Sequence, residues 1–94
     1  MKNMRTKDAD ALFEAILSLR TVEECYKFFE DALTAKEIAE IAQRWKAAKM
    51  LRRGSSYQEV SAETGMSTAT ISRVSKALEK GAGGYKLALE RSEK

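Results

Sequence analysis

The chain of 94 residues contains no histidine and no proline, one cysteine and one tryptophan. Without histidine there is no imidazole to act as general base, zinc ligand or middle member of a Ser-His triad. An enzyme would need a base, nucleophile or metal set that the chain does not display, so no catalytic residue, metal site or cofactor is read from it. The lone Cys25 permits no intramolecular disulfide, which fits a reducing cytoplasm, and it reads as a small buried apolar residue. The absence of proline removes the strongest helix breaker. A composition rich in Ala, Glu, Lys, Leu and Arg then favours helix throughout. Apolar runs are short, and none approaches the roughly 20 residues of a membrane span. Lys2, Arg5 and Lys7 could imitate a basic leader, but Asp8, Asp10 and Glu14 interrupt the segment that would have to be apolar. A cytoplasmic protein without membrane contact is the expectation.

Acidic and basic side chains are unevenly distributed. Residues 1–42 hold six basic and nine acidic groups, a net −3, and residues 43–94 hold eleven and five, a net +6. Between Gln43 and Gln58 there is no acid, while Arg44, Lys46, Lys49, Arg52 and Arg53 cluster there. A basic half beside an acidic half suggests that only the second half meets a polyanion, although a basic run alone is also what a solvated helix face looks like.

The run Ser56 to Leu78, SYQEVSAETGMSTATISRVSKAL, carries the most information. Ser56 stands where an N-cap belongs and Glu59 follows three residues later, so a helix over Tyr57 to Thr64 is expected behind a capping box. Gly65 can take the left-handed conformation that ends it. Met66 closes the turn with apolar surface, Ser67 caps a second helix, and that helix runs from Thr68 to about Glu79. Ser61 is small, as a helix crossing requires, and Val60, Met66, Ile71, Val74 and Leu78 supply apolar contacts. Ile71, Val74 and Leu78 share one stripe. The opposite face carries Thr68, Ala69, Ser72, Arg73 and Lys76, short polar or long basic side chains suited to base edges and phosphates. The pattern predicts a helix-turn-helix at 56–79 whose second helix enters a major groove. Ser67, Thr68, Ala69, Ser72, Arg73 and Lys76 are the expected DNA contacts, with Arg52 and Arg53 beside them. An ordinary helical hairpin is the plainer alternative.

The rest of the chain reads as further helices. Thr21–Glu24 and Thr34–Glu37 repeat the capping-box spacing. Helices are expected at about Lys7–Leu19, Val22–Ala32 and Ala35–Arg52. The last carries the stripe Ile38, Ile41, Ala42, Trp45, Ala48 and Leu51 and ends at Gly54. After a break at Gly81, Gly83 and Gly84 a short helix follows at about Tyr85–Arg91. No strand pattern is convincing. A chain this short buries only somewhat more than about 60% of its unfolded surface when alone. Leu12, Phe13, Ile16, Leu17, Tyr26, Phe28 and Phe29 give the first two helices apolar residues on more than one face. That coverage suggests a second copy of the chain, the alternative being one tight core with some aromatics left outside. The organisation expected is one all-α domain over 1–94, with dimerisation helices at about 7–52.

With these residues in place, the chain resembles the tryptophan repressor family, and more closely its YerC/YecD branch. The resemblance covers about Phe28 to Leu89. Its most specific pieces are Leu33-Thr34, Arg44 ten residues further on, Leu51-Arg52 before Gly54, and Ala69-Thr70-Ile71-Ser72-Arg73. It implies an intertwined helical homodimer whose two reading helices lie about 34–36 Å apart on a pseudo-palindromic duplex. It also implies an effector pocket at Leu33, Thr34, Arg44 and Arg73, where the family repressor holds an indole. The match fails at two places. Val74 stands where that repressor has glycine and Ala77 where it has serine. A branched side chain in the ring's space abolishes weak ligand binding, so free tryptophan is not the expected corepressor and any small-molecule effector is left open. The reading is thus a homodimeric, sequence-specific DNA-binding regulator that represses by occupying an operator, with a cytoplasmic, nucleoid-associated location. A protein-interaction module that keeps the fold without specific DNA binding remains the alternative.

Overall fold

A computed structural model describes residues 4–93, so Lys2 lies outside the described residues. Six helices and no strand are found among them: α1 Lys7–Leu17, α2 Val22–Ala32, α3 Ala35–Arg52, α4 Tyr57–Thr64, α5 Thr68–Lys80 and α6 Gly84–Ser92. The fold is all-α. The chain divides into two compact units after Ala35.

In the first unit, α1 starts behind Thr6, whose extended backbone lets its hydroxyl accept from the Ala9 N–H at 2.9 Å. Asp8 and Asp10 in the first turn complement the helix dipole. The helix ends two residues before the expected Leu19. The Ser18 hydroxyl donates to the Ala15 carbonyl at 2.6 Å, and the Leu19 N–H donates to Ile16 at 3.0 Å, which tightens the last turn. Thr21 then caps α2 by accepting from the Glu24 N–H at 3.0 Å. The Glu24 carboxylate accepts from the Arg20 N–H at 2.8 Å, one residue earlier than a capping box places it. Neither helix contains a buried residue. Cys25 is half-buried, not buried as its residue type suggested. Phe28 and Phe29 meet edge to face at 5.2 Å.

The second unit holds the core. Ala47, Ala48, Val60, Ile71 and Val74 are buried together, with Met50, Leu51, Met66 and Tyr85 packed against them. Leu78 and Leu89 are buried as well. Full burial of a side chain such as Ile71 or Leu89 stabilises by about 1.5–3 kcal/mol. The inward face of α3 departs from the expected stripe: Ala47 is buried, whereas Ile41 is 53% exposed and Ala42 is exposed. Alanines carry little weight in a hydropathy pattern, but their small size allows close approach of packed helices. α3 ends in a Schellman motif, with Gly54 at φ 95°, its N–H on Leu51 at 3.1 Å and the Ser55 N–H on Met50 at 3.0 Å. α6 lies against α3 through a stack of Tyr85 on Trp45, centroids 6.4 Å apart.

Both halves of the capping box form at α4. Ser56 accepts from the Glu59 N–H at 3.1 Å, and the Glu59 carboxylate accepts from the Ser56 N–H at 2.7 Å. The Ser56 N–H first, and the Ser56 hydroxyl second, stabilise the ionised Glu59 carboxylate and hold it below its ordinary 4.5. A carboxyl depressed in the folded state contributes stability above its unfolded pKa and loses it as pH falls through the folded value. In an NMR titration the Glu59 carboxyl and the Ser56 amide are therefore expected to titrate together with a midpoint under 4.5. A midpoint at or above that value would show the box open in solution.

Candidate nucleic-acid interface

α4 and α5 join through Gly65, whose φ of 75° and ψ of 4° lie in the left-handed region that a side chain disfavours. Its N–H closes on the Ser61 carbonyl at 2.8 Å. Ser67 caps α5, accepting from the Thr70 N–H at 3.2 Å and pairing hydroxyl to hydroxyl with Thr70 at 3.0 Å. The arrangement is a helix-turn-helix.

α5 has two unlike faces. Ile71, Val74 and Leu78 point into the core. Ser67, Thr68, Ala69, Arg73 and Lys76 are exposed, and Ser72 is half-buried. Arg73 and Lys76 pair with no carboxylate among the described residues. Their charges remain available to a polyanion. Tyr57, 41% exposed at the start of α4, stands on the same motif and was not singled out from sequence, because an aromatic at a helix start carries no DNA signal by itself.

The basic run of α3 is less free than its sequence suggests. Lys46 lies 3.6 Å from Glu63 of α4, and Arg53 binds Glu93 beyond α6 at 2.9 Å. Arg44 lies 4.0 Å from Glu40. The Lys49 ammonium stands 6.0 Å from the Trp45 ring centre. Arg52 is exposed at the rim of a shallow groove also lined by Leu78, Glu79, Lys86 and Glu90. Of the two expected flanking contacts, Arg52 is thus without an ion pair among the described residues, while Arg53 would have to exchange a carboxylate for a phosphate. Two of these partners, Glu63 and Glu93, are far away in sequence, and no local pattern announces them.

The model of the family described as Trp repressor protein matches residues 7–93. The chain belongs to the Trp repressor family. It is 51% identical over 88 residues to the uncharacterised protein YerC of Bacillus subtilis (strain 168), covering 94% of this chain and 85% of YerC. Two solved structures superpose with a TM-score of 0.90 each. One is a TrpR-like protein from Eubacterium eligens, 46% identical, with 94% of this chain and 91% of that one covered. The other, from Staphylococcus aureus, is a proposed Trp repressor, 44% identical, with 96% and 90% covered. The Trp repressor family is a regulatory DNA-binding fold and not a family of enzymes.

The residues that the resemblance assigned to an effector pocket differ in exposure. Leu33 is half-buried and Thr34 exposed, both in the first unit. Arg44 and Arg73 are exposed in the second unit, and Ala77 is half-buried there. Val74 is 4% exposed, inside the cluster with Ala47, Ala48, Val60 and Ile71. One position before Arg44, the Gln43 amide oxygen is buried with no partner among the described residues. No helix among the described residues is long and apolar enough to cross a membrane.

Proposed function

We propose that this chain is a sequence-specific DNA-binding transcriptional regulator that represses by occupying a pseudo-palindromic operator as a homodimer. The observation that carries this is the exposed face of α5, polar and basic, with Arg73 and Lys76 unpaired among the described residues opposite a buried Ile71–Val74–Leu78 stripe. In this reading Thr68, Ala69 and Ser72, with Ser67, approach base edges, while Arg73 and Lys76 meet phosphates. Arg52 and Arg53 add backbone contacts at the flank. Two copies present two such helices to successive major grooves, about 34–36 Å apart. Selection of binding sites from random duplexes tests the proposal. A two-fold symmetric preferred site supports it, and indifference to sequence leaves only a charged or interaction module.

Dimerisation is supported by the first unit, where α1 and α2 contain no fully buried residue while Leu17 is 83%, Val22 74% and Phe13 56% exposed. Apolar surface on that scale in a small soluble chain marks an association face.

The regulator is proposed to act without free tryptophan. Val74 is buried with Ala47, Ala48, Val60 and Ile71, and in this reading a branched side chain at that position leaves an indole no room, so the reading helices stay in place unliganded. Calorimetric titration of L-tryptophan into the purified protein is expected to give no saturable heat. Micromolar binding that also tightened operator binding would show that the pocket survives beside Val74.

A further inference from the structure

Met66 is the residue between the hinge glycine and the cap of α5, and side chains of α4 hold both of its backbone polar groups. The Thr64 hydroxyl accepts from the Met66 N–H at 3.1 Å and donates its own proton to the Val60 carbonyl at 2.7 Å. The Ser61 hydroxyl donates to the Met66 carbonyl at 2.9 Å. All three bonds are partly buried, and the Met66 side chain packs on the core that contains Val60. A loop peptide at the surface ordinarily leaves such groups to water.

We propose that Ser61 and Thr64 are positioning residues for DNA reading: together they set the angle at which α5 leaves α4. This rests on the role proposed above for α5. Gly65 permits the bend but does not choose its direction. The Ile71–Val74 contacts are non-directional and tolerate small rotations, whereas hydrogen bonds to both sides of one residue do not. A helix the length of α5 spans about 20 Å, so a turn of about 10° at Met66 carries its far end roughly 3 Å, more than a base contact tolerates.

The test uses Ser61→Ala and Thr64→Val, singly and together, in the full chain at temperatures where melting curves show each variant folded. Two quantities are read: the ratio of specific to non-specific DNA affinity, and the α4–α5 angle in the DNA-free protein from residual dipolar couplings. The double variant is expected to show a changed angle and a ratio lowered by about tenfold or more, with the salt dependence of non-specific binding unchanged. Thr64→Ser, which keeps the hydroxyl, is expected to retain the wild-type ratio and angle. An unchanged angle overturns the proposal. So does an unchanged ratio where the wild type discriminates between sites. If the wild type prefers no site, the DNA-reading role fails separately and the angle alone decides the clamp. If the double variant does not fold, the two single variants are read in its place.

Discussion

Phe13→Glu is expected to abolish the dimer and, with it, cooperative unfolding and operator binding. The wild type is expected to sediment at twice its chain mass of 10.5 kDa at micromolar concentration. Phe13 lies on α1, 56% exposed, on a helix with no buried residue. Covering the exposed half of the ring in a second copy is worth about 1–1.5 kcal/mol, and two-fold symmetry counts it twice. A carboxylate in the same place must be desolvated without a partner, which costs several kcal/mol more. Against a total stability of about 5–15 kcal/mol, the sum is enough to empty the dimer. A Phe13→Glu protein that sediments at the wild-type mass and melts at the wild-type temperature would move the association face off α1.

Operator affinity is expected to fall steeply with salt, by about 10³–10⁵ between 50 and 200 mM if 6–10 phosphates are neutralised by the dimer. Lys76→Ala should weaken binding to all sequences alike and lower the salt slope by roughly one per subunit. Its ammonium is exposed and has no carboxylate to release first among the described residues. Replacement of Thr68 or Ser72 should instead alter which site is preferred, at about 1–3 kcal/mol per misread base pair. Arg53→Ala serves as an internal contrast. Because Arg53 already binds Glu93 at 2.9 Å, its removal should change the slope less than removal of Lys76. Indifference of both affinity and preference to every change on the α5 face would transfer the interface to another surface.

Local chemistry made much of this molecule readable in advance. α2 and α4 begin at the residues following Thr21 and Ser56, because a hydroxyl cap acts within three residues of itself. Gly65 ends α4 at a positive φ that its lack of a Cβ permits. The stripe Ile71, Val74, Leu78 is buried because helical periodicity alone puts those residues on one side. The outward face of α5 was legible for the same reason, as the complement of that stripe.

Contacts between distant segments decided the rest. Which face of α3 turns inward depends on where α4 and α5 lie, so Ala47 is buried and Ile41 is not. The basic run of α3 reads as free charge in sequence, yet Glu63 and Glu93 reach Lys46 and Arg53 only after the helices pack. The hold on Met66 likewise needs Ser61 and Thr64 to arrive together on one side of the turn. The starts of α2 and α4, the end of α4 and the outward side of α5 were thus legible in the chain itself, since they depend on residues within one or two turns, whereas α1 stops two residues early at a turn tightened by Ser18. Only the tertiary structure determined which cations stay unpaired and how the turn is held, since those depend on side chains meeting across elements.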